Sequence, residues 1–187
     1  MQNNIYYCAD QHFYHNLIWQ SGRQNIFESI EEMNEQIVRN HNNKVNDKDT
    51  VYYLGDVIFS SSSELEIRMK QTIGRMKGEK ILILGNHDYH HFSKEIFSKY
   101  FKEIREAAVI QDSGRNIHLY HYPLLTWWNK QRGSYHIHGH LHGNRTCKEF
   151  EILRGEERAL SACLDINQYE PCTLEELMEN NKRWKMF

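Results

Sequence analysis

The stretch "KILILGNHD", residues 80–88, decides how this chain is read. A short, nearly unbroken apolar run is followed at once by a glycine, an amide, an imidazole and a carboxylate. A run of this kind reads as a strand buried on both faces, as in a parallel sheet covered by helices. Its polar cluster then falls at the C-terminal end of the strand, the edge at which open α/β sheets bind their ligands. If that reading is right, other apolar runs should end in the same way.

They do. "IYYCAD" (5–10) ends in Asp10, with His12 just beyond, and "TVYYLGD" (50–56) ends in Gly55 and Asp56. "NIHLYHYP" (116–123) carries His121, and "SYHIHGH" (134–140) ends at His140 with His142 following. "AAVIQD" (107–112) and "ALSACLDI" (159–166) complete the predicted strands, and "DSGR" (112–115) predicts a hairpin turn. Helices are predicted between them. Ile30, Met33, Ile37 and His41 share one face over 28–41, and Leu65, Met69, Ile73 and Met76 do so over 63–77. Ser63 with Glu66 suggests a capping box for the second of these, and Gly78 its stop. Ser93 opens a helix carrying Ile96, Phe97, Tyr100 and Phe101, and Thr173 with Glu176 caps the last one. Alternation early and strands later give an α/β protein with mixed sheets.

Composition narrows the function classes. The 187 residues carry 23 basic and 25 acidic side chains, a net charge of −2, which argues against a broad nucleic-acid surface. Cys8, Cys147, Cys163 and Cys172 form no CxxC pair and no zinc-finger spacing, so free thiols in a reducing compartment are expected. The N-terminus has no basic, apolar leader pattern, and no apolar run approaches the ~20 residues that span a bilayer. With no linker or repeat, residues 1–187 read as a single cytoplasmic domain without a membrane partner.

The ends of the runs supply carboxylate, imidazole and one amide oxygen, with no thiolate. That donor set suits Mn, Fe, Zn or Ni at a catalytic site better than a closed structural zinc. Gly55, Gly85 and Gly139, each just before a ligand type, would allow close backbone approach. His136 and His138 alternate with Ile137 as strand residues do and are expected to support the sheet, and His90 and His91 to lie in an exposed loop. The basic, aromatic tail "NKRWKMF" reads as a solvated helix end, and the cysteines as structural.

The ordered pattern D-x-H, GD, GNHD, H, GHxH over residues 10–142 resembles the calcineurin-like metallophosphoesterase superfamily. The stretches "DQHFYHNLIW", "EMNEQIVRNHNNKV", "DTVYYLGD" and "HYPLLTWWNKQRGSYHIHGHLHG" resemble its small bacterial and phage phosphoesterase branch. The resemblance implies two packed mixed β-sheets flanked by helices, with two divalent metal ions at the strand ends, Mn foremost and Fe, Zn or Ni as alternatives. By the same resemblance Asp10, His12 and His142 bind one metal, Asn86, His121 and His140 the other, and Asp56 bridges them with one oxygen to each. His87 and Asp88 are the implied catalytic residues. His87 donates a proton to the leaving oxygen or holds a phosphate oxygen, while Asp88 orients a ligand or His87. His15, Arg23 and Trp127 line the substrate pocket or contact phosphate, or are structural. The expected reaction is hydrolysis of a phosphodiester or phosphomonoester by in-line attack of a metal-bridging hydroxide, with a nucleotide or short RNA among the candidate substrates. A small nuclease and a non-catalytic metal-binding scaffold remain the rival readings.

Overall fold

The computed structural model describes residues 3–186. In chain order it contains β1 (Ile5–Cys8), α1 (Asn16–Gln20), α2 (Ile30–Lys44), β2 (Thr50–Tyr53), α3 (Leu65–Gln71) and β3 (Glu79–Ile83). Then come α4 (Asn86–His91), α5 (Lys94–Phe97), β4 (Glu103–Arg105), β5 (Ala107–Asp112) and β6 (Arg115–Tyr120). β7 (Tyr135–His138), α6 (Lys148–Leu153), β8 (Ala159–Ser161) and α7 (Leu174–Met186) complete the chain. The architecture is α/β, with two four-stranded sheets ordered β1-β2-β3-β4 and β5-β6-β7-β8, flanked by helices. The second sheet is mixed, antiparallel only between β5 and β6, whereas the first is parallel throughout.

The apolar runs are continuous because the first sheet is covered on both faces. Tyr6, Cys8, Val51, Tyr53 and Leu82 turn toward α2 and α3, meeting Met33, Ile37, Leu65 and Met69. Tyr7, Ala9, Leu54 and Ile83 turn the other way, toward Ile117, Leu119, Ile137 and Leu160 of the second sheet and Leu174 and Leu177 of α7. The two sheets therefore share one inter-sheet core. Among the described residues, no helix is long and apolar enough to cross a membrane.

Most predicted elements form, with shifted ends. Ser29 caps α2 by accepting from the Glu32 N–H at 3.1 Å, and the helix runs on to Lys44. The Thr173–Glu176 capping box is present, at 2.9 and 3.3 Å. The hairpin turn places Ser113 and Gly114 both at positive φ, +49° and +74°, as a two-residue turn between twisted strands requires. The Ser63–Glu66 box is absent. The Ser63 hydroxyl pairs with that of Ser61, and α3 starts after Glu64 with no side-chain cap. That helix also stops at Gln71, well before Gly78. β4 was not foreseen, since its three residues hold one apolar side chain and lie at a sheet edge.

Candidate metal centre

Each predicted strand stops short of its polar terminus, and the chain turns sharply there. Asp10, His12, Asp56, His140 and His142 all adopt positive φ, at +61°, +50°, +56°, +72° and +52°. None is a glycine, so each conformation costs energy, of order 1–3 kcal/mol. Hydrogen bonds between neighbouring turns hold them. Asp10 N–H donates to Gly55 O and His12 N–H to Asp56 O, both at 3.0 Å, and His140 N–H donates to the Asp10 carboxylate at 3.0 Å. The glycines make room for this convergence. A Cβ on Gly85 would lie 2.3 Å from Asp56 Oδ1, and one on Gly139 would lie 2.7 Å from Asp10 Oδ2.

Two ligand groups result. Asp10, His12 and His142 form one and Asp56, His121 and His140 the other, with the ligand atoms of each group within 4.8 Å of one another. Asp56 Oδ2 sits between the groups, 3.7 Å from His12 Nε2 and 3.6 Å from His121 Nε2. Its other oxygen, Oδ1, accepts the backbone N–H of His87 at 2.8 Å. The expected arrangement of one oxygen per cation is therefore not what the geometry offers, since Oδ2 alone faces both groups. Asn86 Oδ1 joins the second group, 3.0 Å from His121 Nε2 and 3.1 Å from His140 Nδ1.

These residues fit divalent cations. His12 Nε2 is buried with no hydrogen-bond partner, 3.8 Å from Asp10 Oδ1 and 3.7 Å from Asp56 Oδ2. A buried, unpartnered ring nitrogen facing two carboxylates suits the chemistry of a cation ligand. The carbonyl of Leu54, 2.6 Å from His121 Nδ1, fixes the proton on that nitrogen and leaves the Nε2 lone pair turned toward Asn86 Oδ1. Burial holds the His12 imidazole well below its ordinary pKa, with His142 adding to the effect, and burial lowers His140 too. Both stay neutral and able to ligate at pH 7. Burial also pushes the Asp56 carboxyl up, and Asp10 adds repulsion that cations would relieve. Burial opposes protonation of His142 as well, but Asp10 and Asp165 outweigh it and raise its pKa.

The remaining candidates separate. His87 is half-buried with its ring edge-on to His12 and His15, centroids 5.2 Å away in each case. His15 caps α1 through Nδ1, and its Nε2 is buried without a partner beside Phe59. Asp88 does not take a catalytic place. It is fully buried and accepts the backbone N–H groups of Gly85, Asp56 and Val57 at 2.8, 2.9 and 3.0 Å, so it fastens the GNHD turn to the GD turn. Arg23 is not a phosphate contact, because its guanidinium is buried and committed to Asp165 and to the carbonyls of Asp10 and Gln11. Trp127 is likewise structural, packed with Leu153 and Ala159 while its indole N–H donates to Ser134 O at 3.1 Å. His136 and His138 are buried in the sheet, bonded to backbone carbonyls, as expected. His91 departs from the exposed-loop reading by packing on Phe59 from α4.

Two contacts were missed in the sequence. Asp165 accepts from His142 Nδ1 at 3.0 Å, and the Cys163 thiol donates to Asp10 Oδ2 at 2.9 Å. Both lie in "ALSACLDI", an apolar run that, like the others, carries a polar ligand type near its end. A groove of about 610 Å³ opens against His140 and His142, walled by Ile18, Asn144 and Tyr169.

No family model matches the chain. It is 32% identical over 182 residues to Uncharacterized protein MJ1445 of Methanocaldococcus jannaschii, covering 95% of this chain and 93% of that one. Gene 66 protein of Mycobacterium phage L5 is 28% identical over 164 residues, 75% of this chain and 78% of the phage protein. The crystal structure of AQ665 from Aquifex aeolicus, a protein of unknown function, superposes with a TM-score of 0.69 at 29% identity, covering 95% of this chain and 99% of that one. A likeness to Pseudomonas putida nuclease MPE, with a TM-score of 0.47 at 16% identity over 74% of this chain and 60% of that one, is too loose to carry weight. By its near full-length identity to the archaeal protein, this chain belongs to the family of Uncharacterized protein MJ1445.

Proposed function

We propose that the chain is a dinuclear metal-dependent phosphoesterase of the calcineurin-like kind. The observation that carries this reading is the pair of Asp/His/His groups with Asp56 Oδ2 between them. A closed structural site would need only one such group. Asp10, His12 and His142 would hold one cation, and Asn86, His121 and His140 the other, with Asp56 shared. Such a pair, when bound, withdraws charge from a phosphoryl oxygen and lowers the pKa of water toward ~7.

The chain's own residues do the rest. The buried carboxylates Asp10 and Asp56 fix where positive charge sits, so an anionic phosphoester is drawn to one spot at the sheet edge. The His87 backbone N–H is tied to Asp56 Oδ1, which holds the residue at the rim while its half-buried ring stays accessible. That ring donates a proton to the leaving oxygen or holds a phosphate oxygen. The groove beside His140 and His142 receives the remainder of the substrate. The diester is favoured over the monoester, since Arg23, which the sequence offered as a phosphate contact, is spent internally on Asp165 and does not clamp a dianion.

The test is to strip the protein with chelator, restore Mn²⁺, and follow bis-p-nitrophenyl phosphate and p-nitrophenyl phosphate. Metal-restored cleavage with the diester faster is the expected result, and Asp56→Asn should lower the rate by at least ~100-fold. Full activity in Asp56→Asn, or cleavage indifferent to chelator, would sink the proposal.

A further inference from the structure

The geometry points to the buried Arg23–Asp165 pair as the strut that assembles the first metal group, so that its loss releases one cation and spares the other. This inference rests on the two-metal reading. Arg23 comes from the short 3₁₀ turn Arg23–Asn25 that follows α1, and only 2% of the residue is exposed. All of its N–H groups are engaged. Nε donates to Asp165 Oδ1 at 3.0 Å and Nη2 to Asp165 Oδ2 at 2.9 Å, a bidentate pair. Nη2 also donates to Asp10 O at 2.6 Å, and Nη1 to Gln11 O at 2.7 Å and toward Met33 Sδ at 3.9 Å.

Those carbonyls belong to the Asp10–His12 turn, in which Asp10 and His12 both hold positive φ. A turn in that conformation needs outside donors to keep it, and Arg23 supplies them. At the other end, Asp165 Oδ2 accepts from His142 Nδ1, which leaves Nε2 directed at Asp10 Oδ1, 3.8 Å away. One ion pair therefore reaches both the Asp10–His12 turn and His142, which are remote from each other in sequence. The second group is held by different means. Leu54 O fixes His121, and Asp88 fixes the turns carrying Asp56 and Asn86. Arg23 and Asp165 thus bond directly to residues of the first group, and reach the second only through the hydrogen bonds that join the Asp10–His12 turn to His140 and Asp56.

The experiment compares metal uptake by chelator-stripped wild type, Asp165→Asn and Arg23→Lys, using Mn²⁺ alone in equilibrium dialysis and electron paramagnetic resonance. Wild type should take up two equivalents and show a spin-coupled spectrum. Asp165→Asn should keep one equivalent near wild-type affinity, bind the other at least ~10-fold more weakly, and show an uncoupled mononuclear spectrum. Arg23→Lys keeps the charge but loses the fork, and should lie between the two. Circular dichroism of the stripped proteins checks that each variant is folded, and Arg23→Lys decides the matter if Asp165→Asn is not. Two ions bound at wild-type affinity by the folded variants, or both weakened equally, would overturn the inference. Fewer than two equivalents in wild type would instead overturn the two-metal reading, and the strut with it.

Discussion

Asp88 shows how a residue can sit inside a chemical motif and yet do structural work. Its carboxylate meets three backbone N–H groups, from Gly85, Asp56 and Val57, in full burial. Burial pushes its pKa up to about 6 even against those three donors, so it is ionised at pH 7. In Asp88→Asn an amide N–H would have to face a backbone N–H, leaving buried donors opposed. The expected cost is about 1–3 kcal/mol, read as a lower urea midpoint of the metal-free protein. An unchanged midpoint would mean that Asp88 is not the clamp described. Of the two roles read for Asp88 in sequence, orienting a ligand or orienting His87, the geometry favours the first, through the backbone of Asp56, a choice that adjacency to His87 could not make. Asp10, Asp56, Asn86, His121, His140 and their neighbours were legible because each ends an apolar run. Asp165 obeys the same rule, but in "ALSACLDI" it is followed by the apolar Ile166, which masks the end of the run. Arg23 was legible as a buried or functional cation but not as Asp165's partner, since 142 residues separate them and only the fold brings them together.

Elements show a related pattern, in which strand cores were readable and strand ends were not. "TVYYLGD" and "SYHIHGH" read as strands to their last residues, yet β2 stops at Tyr53 and β7 at His138. The residues beyond leave the strand because positive φ at Asp56 and His140 breaks the pleat, a local conformation that hydrophobic pattern does not encode. β8 is a three-residue strand whose open side is completed by a helix. Asn181 of α7 accepts from Ser161 N–H at 2.7 Å and donates to Ser161 O at 2.9 Å, so its side-chain amide stands in for a neighbouring strand. This sets a ranking of two substitutions in one helix. Thr173→Ala removes the cap and should cost about 1 kcal/mol. Asn181→Ala leaves the buried Ser161 N–H unmatched, at about 1–3 kcal/mol, and strips Ser161 O of its shorter donor, with Asn167 Nδ2 remaining at 3.3 Å, so it should be the more damaging. Urea denaturation of the two variants tests the order, and a reversed order would show that α7 is held mainly by its cap and not by its contact with β8.

At the scale of the whole molecule, buried histidines make stability depend on pH independently of metal. Burial lowers the pKa of His41 and of His136 to about 4. His41 donates to Lys77 O through Nε2, and His136 donates through Nδ1 to His118 O while its Nε2 accepts the Leu124 N–H at 3.2 Å, so each is satisfied as a neutral ring. In the unfolded chain both regain a pKa near ~6.5. A folded-state pKa below the unfolded value means that the unfolded chain binds the extra proton between these limits. The stability each supplies is therefore complete above pH ~6.5 and is lost as pH falls toward about 4. From pH 7 to pH 5 the loss is about 2 kcal/mol per group. Asp88, with its raised pKa, opposes this trend over part of the range, as does His142. The sharp test is therefore a difference between proteins. His41→Gln keeps an N–H for Lys77 O but cannot titrate. In chelator, its urea midpoint should fall less between pH 7 and pH 5 than that of wild type, by the equivalent of about 2 kcal/mol. Equal falls would show that His41 takes up its proton in the folded protein, and that the helix α2 contact with the Lys77 loop does not hold the ring neutral.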